Sequence, residues 1–317
     1  MTPTDTRSDV ADRYVELRPL LFSIAYRMLG TVSEAEDLVQ EAFMRYQRAL
    51  ATGGAIESPK AWLSAVVTRA AIDQLRSARV RRETYVGEWL PEPLVTDGGA
   101  GDPAALADEA DTLSMSFLVL LERLTPVERA VFLLHDVFGY GFGEIGRIVH
   151  RTRATCRQHA VRARRFIAER RPRFDASEAE RDDLVTRFIG AAGRGDVQAL
   201  IDALAEDVIV QGDGGGKVPQ WSAPIVGAEN VARLFAGLGR QNRRLGAALE
   251  PHRINGQPGV LFRGPRGGVM SVMSFEVVDG RIAAIRSIVN PDKLGHLGPV
   301  ESLREVLDAA PTRSSMD

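Results

Sequence analysis

Apolar residues recur three and four positions apart through the first part of the chain, which is the spacing of one helix face. The pattern runs from Leu17 to Leu29 and resumes shortly afterwards. Ser33, with Glu36 three residues later, matches a capping box and predicts that a second helix begins there. We therefore expect residues 10–86 to form an all-helical module.

A second helical module follows further along the chain. Thr125 and Glu128 match a capping box with proline between them, a strong signal for a helix start. Residues 144–149 then form a short helical pattern, and a tight turn separates it from a longer basic helix over 153–170. A short helix, a turn and a longer basic helix are typical of a helix-turn-helix, so we expect one within residues 113–173.

The pattern changes to alternation after about residue 178. Two helices are expected first, and Asp279-Gly280 is a strong hairpin signal between two later strands. This indicates an α+β domain over 178–300 with a mostly antiparallel sheet. The predicted strands cover residues 208–211, 258–262, 269–278 and 281–289.

Charge is distributed unevenly along the chain. The 317 residues carry a formal net charge of −2, but residues 87–112 have seven acidic side chains and no basic ones. Residues 113–173 have 12 basic and five acidic side chains. A polyanion responds to the charge of a module rather than to that of the chain. The sequence thus predicts a basic module preceded by an acidic linker that is rich in proline and glycine.

The remaining composition excludes several classes of protein. Cys156 is the one cysteine, so an intramolecular disulfide and a cysteine zinc site are excluded. The five histidines show no metal-ligand spacing, and we expect neither a metal nor a cofactor. No apolar stretch reaches the ~20 residues of a membrane span, and the polar N-terminus does not match a signal peptide. We expect a cytoplasmic protein.

The basic helix over 153–170 is the first candidate for nucleic-acid binding. Arginine grips phosphates and reads guanine edges, and glutamine can read adenine. The alternative is a solvated basic helix face. The polar side chains on this helix that we expect to contact DNA are Arg153, Thr155, Arg157, Gln158, Arg162, Arg164 and Arg165.

A helix predicted from Pro59 onwards is the second candidate. Trp62 either stacks on a base or packs in the core, and Asp73 is the one acidic residue within the basic run. The basic residues that we expect near DNA are Lys60, Arg69, Arg76, Arg79 and Arg82. The helix before it carries Asp37, Gln40 and Glu41, and an acidic face of this kind is expected to meet protein.

Three stretches together resemble the extracytoplasmic-function (ECF) sigma factors of bacterial RNA polymerase. They are YRMLGTVSEAEDLVQEAF, SPKAWLSAVVTRAAIDQLRSARVRRE and LTPVERAVFLLHDVFGYGFGEIGRIVHRTRATCRQHAVRARR. The first two resemble sigma region 2 and the third resembles region 4. The stretches WLPEPL, DGGGK and NPDKL are similar to a SigJ-like subgroup that carries a fused C-terminal domain of the SnoaL/NTF2-like fold.

The resemblance implies roles for the matching positions. Region 2 would bind the β′ clamp helices of core polymerase through Asp37, Gln40 and Glu41, and would open and read the −10 element with the helix from Pro59. Region 4 would read the −35 element with the basic helix and meet the β flap. The linker would run through the RNA exit path. The implied partners are core RNA polymerase and promoter DNA, with no membrane.

The C-terminal domain leaves three alternatives open. The domain regulates the sigma factor in cis, or it binds a small molecule, or it is an enzyme that uses polar residues such as Asp213, His252, Asn255 or Asp279. The fold implied by the resemblance is a conical barrel. We favour a regulatory domain without catalysis that contacts region 2 and the linker. The residues expected in this contact are Trp89, Pro91, Asp213, Lys217, Asn290, Asp292 and Lys293.

Overall fold

The computed structural model divides the chain into two compact units. The first comprises the described residues of Met1–Thr84 and Gly98–Arg171, and the second those of Tyr85–Asp97 and Pro172–Asp317. No helix in the described ranges is long and apolar enough to cross a membrane. The structure describes residues 3–53, 55–83, 85–97, 110–169, 177–221 and 223–309.

The described part of the first unit is all helical, which confirms the predicted class. Three long helices come first: α1 (Pro3–Leu29), α2 (Val32–Ala51) and α3 (Pro59–Glu83). A π-helical stretch at Leu133–Val137 follows α6 directly. The shorter helices are α4 (Ala110–Leu113), α5 (Met115–Leu121), α6 (Pro126–Phe132), α7 (Phe142–Val149) and α8 (Arg153–Ala168).

The start of α2 differs from the prediction by two residues. The helix is capped by Thr31, whose backbone is extended and whose hydroxyl donates to the Glu34 carboxylate at 2.7 Å. Thr31/Glu34 and Ser33/Glu36 both match the capping-box spacing, and the helix begins after the earlier position, where the Thr31 hydroxyl bonds to the Glu34 side chain and makes no capping hydrogen bond to the backbone.

Arg129 joins the two parts of the first unit that the sequence treats as separate modules. Its guanidinium is 2% exposed and donates to the Leu121 and Met28 carbonyl oxygens, and it pairs with Glu122 at 2.9 Å. Burial lowers the pKa of Arg129 to about 9. The residue follows the predicted Thr125 capping box, which is present. A buried cation thus holds α6 against the end of α1.

The second unit is an α+β domain, as predicted. Its helices are α9 (Glu178–Arg194), α10 (Val197–Ala203), α11 (Ala228–Leu245) and α12 (Leu303–Ala309). Its strands are β1 (Leu204–Asp213), β2 (Ile225–Val226), β3 (Ala248–Ile254), β4 (Gln257–Arg263), β5 (Val269–Val278) and β6 (Arg281–Ile288). Of these elements, α11, α12, β2 and β3 were not anticipated.

The six strands form one sheet in the order β2-β1-β6-β5-β4-β3. All neighbours are antiparallel except β1 and β6, which run parallel with Val210 opposite Ile285. The expected conical barrel is therefore wrong in one respect. The edge strands β2 and β3 do not pair with each other, so the sheet is open within the described residues.

The two faces of the sheet differ in character. Val210, Phe262 and Phe275 lie on the face that packs with α9, α10 and α11 in one apolar core. The opposite face carries polar side chains, including an ion pair of 2.9 Å between Arg286 and Glu276, both less than 10% exposed. A polar face of this kind is stable when buried only if another segment supplies partners for it.

Two glycines of α11 offer a matched test of helix packing. An ideal Cβ on Gly239 would lie 1.9 Å from the Ala192 carbonyl oxygen of α9, whereas one on Gly237 would meet nothing within 4 Å. We expect Gly239→Ala to force the helices apart and lower the free energy of unfolding by about 1–3 kcal/mol. Gly237→Ala should raise it by about 0.5–1 kcal/mol through helix propensity.

The comparison is made by unfolding both variants in urea and monitoring the transition by circular dichroism. Equal effects of the two alanines would contradict the close approach of α9 and α11.

Candidate functional site

The helix-turn-helix is formed by α7 and α8. His150 ends α7 in the left-handed conformation, and Thr152 caps α8 by accepting a hydrogen bond from Thr155 N at 3.1 Å. A Cβ on Gly146 would lie 2.7 Å from the Arg151 carbonyl oxygen, so the tight turn requires glycine there. Cys156 is buried on the inner face of α8, and burial raises the pKa of its thiol. The opposite face of α8 is left to solvent.

The seven predicted −35 residues fall into two groups. Arg162, Arg164 and Arg165 pair with acidic side chains of the same unit, as described next. Arg153, Arg157 and Gln158 are exposed, and Thr155 is half-buried beside its cap. Among the described residues, no carboxylate lies within 4 Å of Arg153 or Arg157. The N-terminal part of α8 is thus the part best placed to reach base edges, as in other helix-turn-helix proteins.

Acidic neighbours hold the C-terminal arginines of α8. Arg164 Nε lies 2.6 Å from Asp136, and Arg162 Nε lies 3.1 Å from Glu128. Burial alone would raise the pKa of Glu128, but hydrogen bonds from Thr125 and the charge of Arg162 lower it. Arg165 pairs with Glu169 along the same helix at 3.1 Å. Any phosphate contact by these arginines competes with an ion pair that already exists.

The predicted −10 helix, α3, contacts the helix-turn-helix within the first unit. Arg69 donates to the carbonyl oxygens of Ile148 and Arg147, each at 2.8 Å. Ser64 and Tyr140 share a hydrogen bond of 2.8 Å, and burial raises the pKa of Tyr140. These partners lie 76 or more positions apart, so no local sequence pattern could have predicted them.

The other predicted −10 residues are arranged differently. Lys60 is exposed, and Trp62 is half-buried with its ring 5.8 Å from that of Tyr46. Asp73 and Arg76 form an exposed pair at 3.1 Å. The side chains of Arg79 and Arg82 lie outside the described residues.

A groove of about 400 Å³ lies beside Trp62. Arg69 and Tyr140 also line it, together with the loop before α3. The groove therefore combines an aromatic ring, a guanidinium group and a phenol at the predicted −10 surface.

The acidic candidates lie together on α2. Asp37 and Gln40 are exposed, and Glu41 is half-buried and pairs with Arg45 at 2.8 Å. Their i, i+3, i+4 spacing gives them one face of the helix. The opposite face of α2 packs in the core through Val39 and other buried residues. A continuous polar face of this kind is available to a protein partner.

Residues 85–97, which we call the strap, belong to the second unit. Most of them belong to the predicted linker over 87–112, but in the structure they pack on the polar face of the sheet. Glu88 accepts a hydrogen bond from Gln211, and burial raises the pKa of its carboxyl. Leu90, Glu92 and Leu94 are all less than 10% exposed. The strap thus supplies the cover that this face requires.

Asp213 anchors one end of the strap. Its carboxylate is 1% exposed and accepts hydrogen bonds from Leu90 N at 2.8 Å and from the Tyr85 hydroxyl at 2.6 Å. Lys293 Nζ pairs with the same carboxylate at 2.7 Å and also donates to the Leu90 carbonyl oxygen. The Lys293 ammonium lies 4.3 Å from the ring centre of Trp89, within cation–π range. Both charges are buried, and each is satisfied by the other and by the strap.

The other end of the strap is held by the edge of β3. Val95 forms a bridge with Ile254, and Thr96 N donates to the Arg253 carbonyl oxygen at 2.8 Å. Asn255, which has a positive φ of 54°, accepts from Leu94 N at 2.9 Å through its side chain.

Two histidines also contact the strap. His252 Nδ1 lies 2.8 Å from Asp97 Oδ2, and His296 Nε2 lies 2.7 Å from the Pro93 carbonyl oxygen. The strap is thus fixed at both ends and along its length.

The predicted interdomain residues therefore come together around the strap. Trp89, Asp213 and Lys293 meet directly, and Asn290 donates to the Tyr85 hydroxyl at 2.9 Å. Pro91 is buried. Lys217 and Asp292 form an exposed pair at 2.6 Å at the surface of the unit. Sequence reasoning missed the roles of Tyr85, Leu90 and Asn255, of which Tyr85 lies two residues before the predicted linker.

The residues considered for catalysis lie at separate positions in the second unit. Asp213 and Asn255 hold opposite ends of the strap, and His252 pairs with Asp97. Asp279 occupies the β5–β6 turn with a positive φ of 49°. Among the described residues, no group of three or more His, Cys, Asp or Glu side chains is arranged to hold a metal ion.

The Tyr85 hydroxyl makes the strap sensitive to alkaline pH. Burial, followed by the hydrogen bond to Asp213 and the charge of its carboxylate, raises the pKa of Tyr85 above the ordinary value of about 10. The stability that depends on the neutral phenol is therefore complete below about pH 10 and is lost as pH rises further. We expect the difference in unfolding free energy between the wild type and Tyr85→Phe to shrink by of order 1 kcal/mol per pH unit above pH 10.

Urea titrations of both proteins between neutral and strongly alkaline pH measure this difference. A constant difference across the range would contradict the buried Tyr85–Asp213 contact.

Comparison with known proteins identifies the family. The sigma-70 region 2 family profile matches residues 14–81, and the sigma-70 region 4 profile matches residues 114–167. The chain is 37% identical over 286 residues to the ECF RNA polymerase sigma factor SigJ of Mycobacterium tuberculosis, covering 87% of this chain and 90% of that protein. It is 33% identical to the probable ECF sigma factor SigI of the same species, covering 88% and 93%.

A solved structure agrees with these sequence matches. The crystal structure of the M. tuberculosis ECF sigma factor SigJ superposes with a TM-score of 0.73 at 32% identity, covering 92% of this chain and 100% of that one. The helical units and the α+β domain are thus found together in a known relative. The chain belongs to the extracytoplasmic-function sigma factors of bacterial RNA polymerase, and it acts as a transcription factor with core polymerase and promoter DNA as its partners.

Proposed function

We propose that the −35 element is read by the N-terminal part of α8. The supporting observation is that Arg153, Arg157 and Gln158 are exposed there, while the arginines further along are already paired. Arg157 would contact a base edge, with Thr155 beside it. Arg162, Arg164 and Arg165 would approach phosphates after exchanging their carboxylate partners.

The −10 element would be met by α3 and the groove beside Trp62. Trp62 offers an aromatic face on which an unstacked base can pack. Lys60, Asp73, Arg76, Arg79 and Arg82 would lie along the same helix. Arg69 is occupied by the backbone of α7 in this conformation, so its contact with DNA requires that hydrogen-bonded contact to open.

Core polymerase would bind the polar face of α2. Asp37, Gln40 and Glu41 share this face, and two of them are exposed. The resemblance to sigma region 2 points to the β′ clamp helices as their partner, and region 4 would meet the β flap. Binding by this face leaves α3 and α8 free for DNA.

The strap would regulate the factor in cis. It lies in the chain between the two sigma regions, and in the second unit it is buried through Asp213 and Lys293. A buried strap cannot at the same time follow the path through polymerase that the resemblance implies for the linker. Docking of the strap would therefore hold the factor back, and release would activate it.

Two variants should separate DNA binding from core binding. Arg157→Ala should lower promoter binding about tenfold or more, because a base contact is worth about 1–3 kcal/mol, and should leave core binding unchanged. The combined change Asp37→Ala and Glu41→Ala should do the reverse. Run-off transcription with core polymerase on a selected promoter, with core affinity measured in parallel, makes the comparison.

The wild-type chain is the reference in this experiment. If it binds core polymerase but supports no initiation on any promoter from a random library, the assignment of promoter reading is wrong. If Arg157→Ala leaves the footprint and its sequence preference intact, α8 does not read the −35 element through this residue.

Two lysines of the second unit, one buried and one exposed, allow a matched test of regulation by the strap. Lys293→Met leaves the buried Asp213 carboxylate without its cation, at a cost of about 3–5 kcal/mol to the docked state. Lys217→Met removes an exposed pair of the same unit that contributes about 1 kcal/mol at most. We expect Lys293→Met to raise run-off transcription at least threefold over Lys217→Met.

Limited proteolysis of the strap confirms that Lys293→Met releases it. An unchanged transcript yield from a released strap would contradict regulation by docking. A lower yield would show that the docked strap is part of the working factor.

A further inference from the structure

The second unit contains a pocket that the strap does not touch. It lies between α9, α11 and the helix-facing side of the sheet, with a volume of about 100 Å³. Phe188, Phe235, Leu238, Met273 and Phe275 form much of its wall. Leu249 also lines the pocket and is 41% exposed, so this residue marks an opening to solvent.

The size and the lining of the pocket select for a short apolar group. An engineered apolar cavity of about 150 Å³ holds one benzene molecule, which has six carbon atoms, so 100 Å³ suits about four carbon atoms of a chain whose remaining atoms lie at the opening. The walls are almost entirely hydrocarbon and aromatic ring. A charged or strongly hydrated group would lose its water there without compensation.

One arginine lies in the pocket lining and two more lie on the helices that form it. Arg243 and Asn242 are the polar side chains in the lining, and a Cβ built on Gly193 of the pocket wall would lie 3.9 Å from Arg243 Nη1. Arg194 Nη1 lies 3.3 Å from an ideal Cβ on Gly190 of α9, and Arg240 Nη1 of α11 lies 3.3 Å from one on Gly195, which ends α9.

These arginines are not neutralised locally. In the part of the chain that the structure describes, no carboxylate lies within 4 Å of Arg194, Arg240, Arg243 or Arg244. The unit as a whole nevertheless has an excess of acidic residues, since residues 174–317 carry 19 acidic and 16 basic side chains. An unneutralised arginine, Arg243, in the lining of an apolar pocket is complementary to an anion with an apolar tail.

We propose that this pocket binds a small amphipathic carboxylate, such as a straight-chain acid of about six carbons. The hydrocarbon tail would fill the space between Phe188, Phe235 and Phe275. The carboxylate would remain at the opening and accept charge-assisted hydrogen bonds from Arg243. Binding is a property of the second unit alone and does not depend on the proposed roles in promoter reading.

The pocket and the strap use opposite faces of one strand. Met273 and Phe275 of β5 line the pocket. Ser274 and Glu276 alternate with them along the strand and therefore point to the polar face of the sheet, on which the strap packs. A ligand that fills the pocket therefore packs against the strand that also carries the buried Glu276–Arg286 pair.

Direct titration of the full-length protein tests the proposal. Isothermal titration calorimetry compares hexanoate with 1-hexanol and hexylamine, which have the same tail and different head groups. We expect saturable binding of one hexanoate per chain, and affinity for the alcohol and the amine lower by about tenfold or more, since a hydrogen bond to a charged group is worth about 1.5–3 kcal/mol.

Three variants locate the binding. Arg243→Gln should lower hexanoate affinity about tenfold and leave hexanol affinity unchanged, because only the carboxylate uses this residue. Leu238→Trp should abolish binding of both by filling the pocket. Arg233→Gln is the matched control, since Arg233 lies on the same helix but pairs with Glu229 and does not line the pocket.

Circular dichroism confirms that each variant is folded, and the exposed position of Arg243 makes its variant the decisive one. Equal affinity for hexanoate and hexanol would overturn the proposal. So would an unchanged hexanoate affinity in Arg243→Gln, or no saturable binding by the wild type up to the solubility of the acid.

Discussion

The buried ion pair between Asp213 and Lys293 is the interaction on which the second unit depends. Neither charge would be stable in the interior without the other, and neither is fully satisfied without the strap, which donates Leu90 N and the Tyr85 hydroxyl and accepts from Lys293. The sheet and its neighbouring loops therefore fold with a site that is complete only when a segment from far earlier in the chain is present. The second unit therefore comprises two segments that are separate in the sequence, the strap and the chain from Pro172 onwards.

The distance along the chain between interacting residues decides which parts of the structure can be predicted from the sequence. The capping boxes and the helix-turn-helix are local, and they were predicted because their signals lie within a few residues of each other. The start of α2 was misplaced because two overlapping capping patterns compete. The strap was treated as linker because its prolines and acidic residues are typical of one, and its partners, such as Asn255 and Lys293, lie some 160 to 200 positions away.

Function could be predicted further than geometry. The three stretches that resemble sigma regions 2 and 4 pointed to the sigma-factor family, and the WLPEPL, DGGGK and NPDKL motifs pointed to a SigJ-like subgroup. The comparisons confirm the family. They did not show that Arg69 bonds to the backbone of α7 or that three arginines of α8 are already paired. Such contacts are set by tertiary packing, which decides which of several equivalent arginines are free. The apolar pocket was equally invisible, because α11 and β3 were not anticipated.

The paired arginines of α8 have a consequence for the ionic-strength dependence of promoter binding. A protein gains affinity at low salt mainly by releasing cations condensed on DNA, one for each phosphate that it neutralises. An arginine that leaves Glu128 or Asp136 to meet a phosphate uncovers a carboxylate close to the duplex, and this anion retains or recruits a counterion. The slope of log affinity against log salt concentration should therefore be shallower than expected from the number of arginines near the DNA backbone. The promoter affinity of this factor would then fall less steeply with ionic strength than its number of arginines suggests.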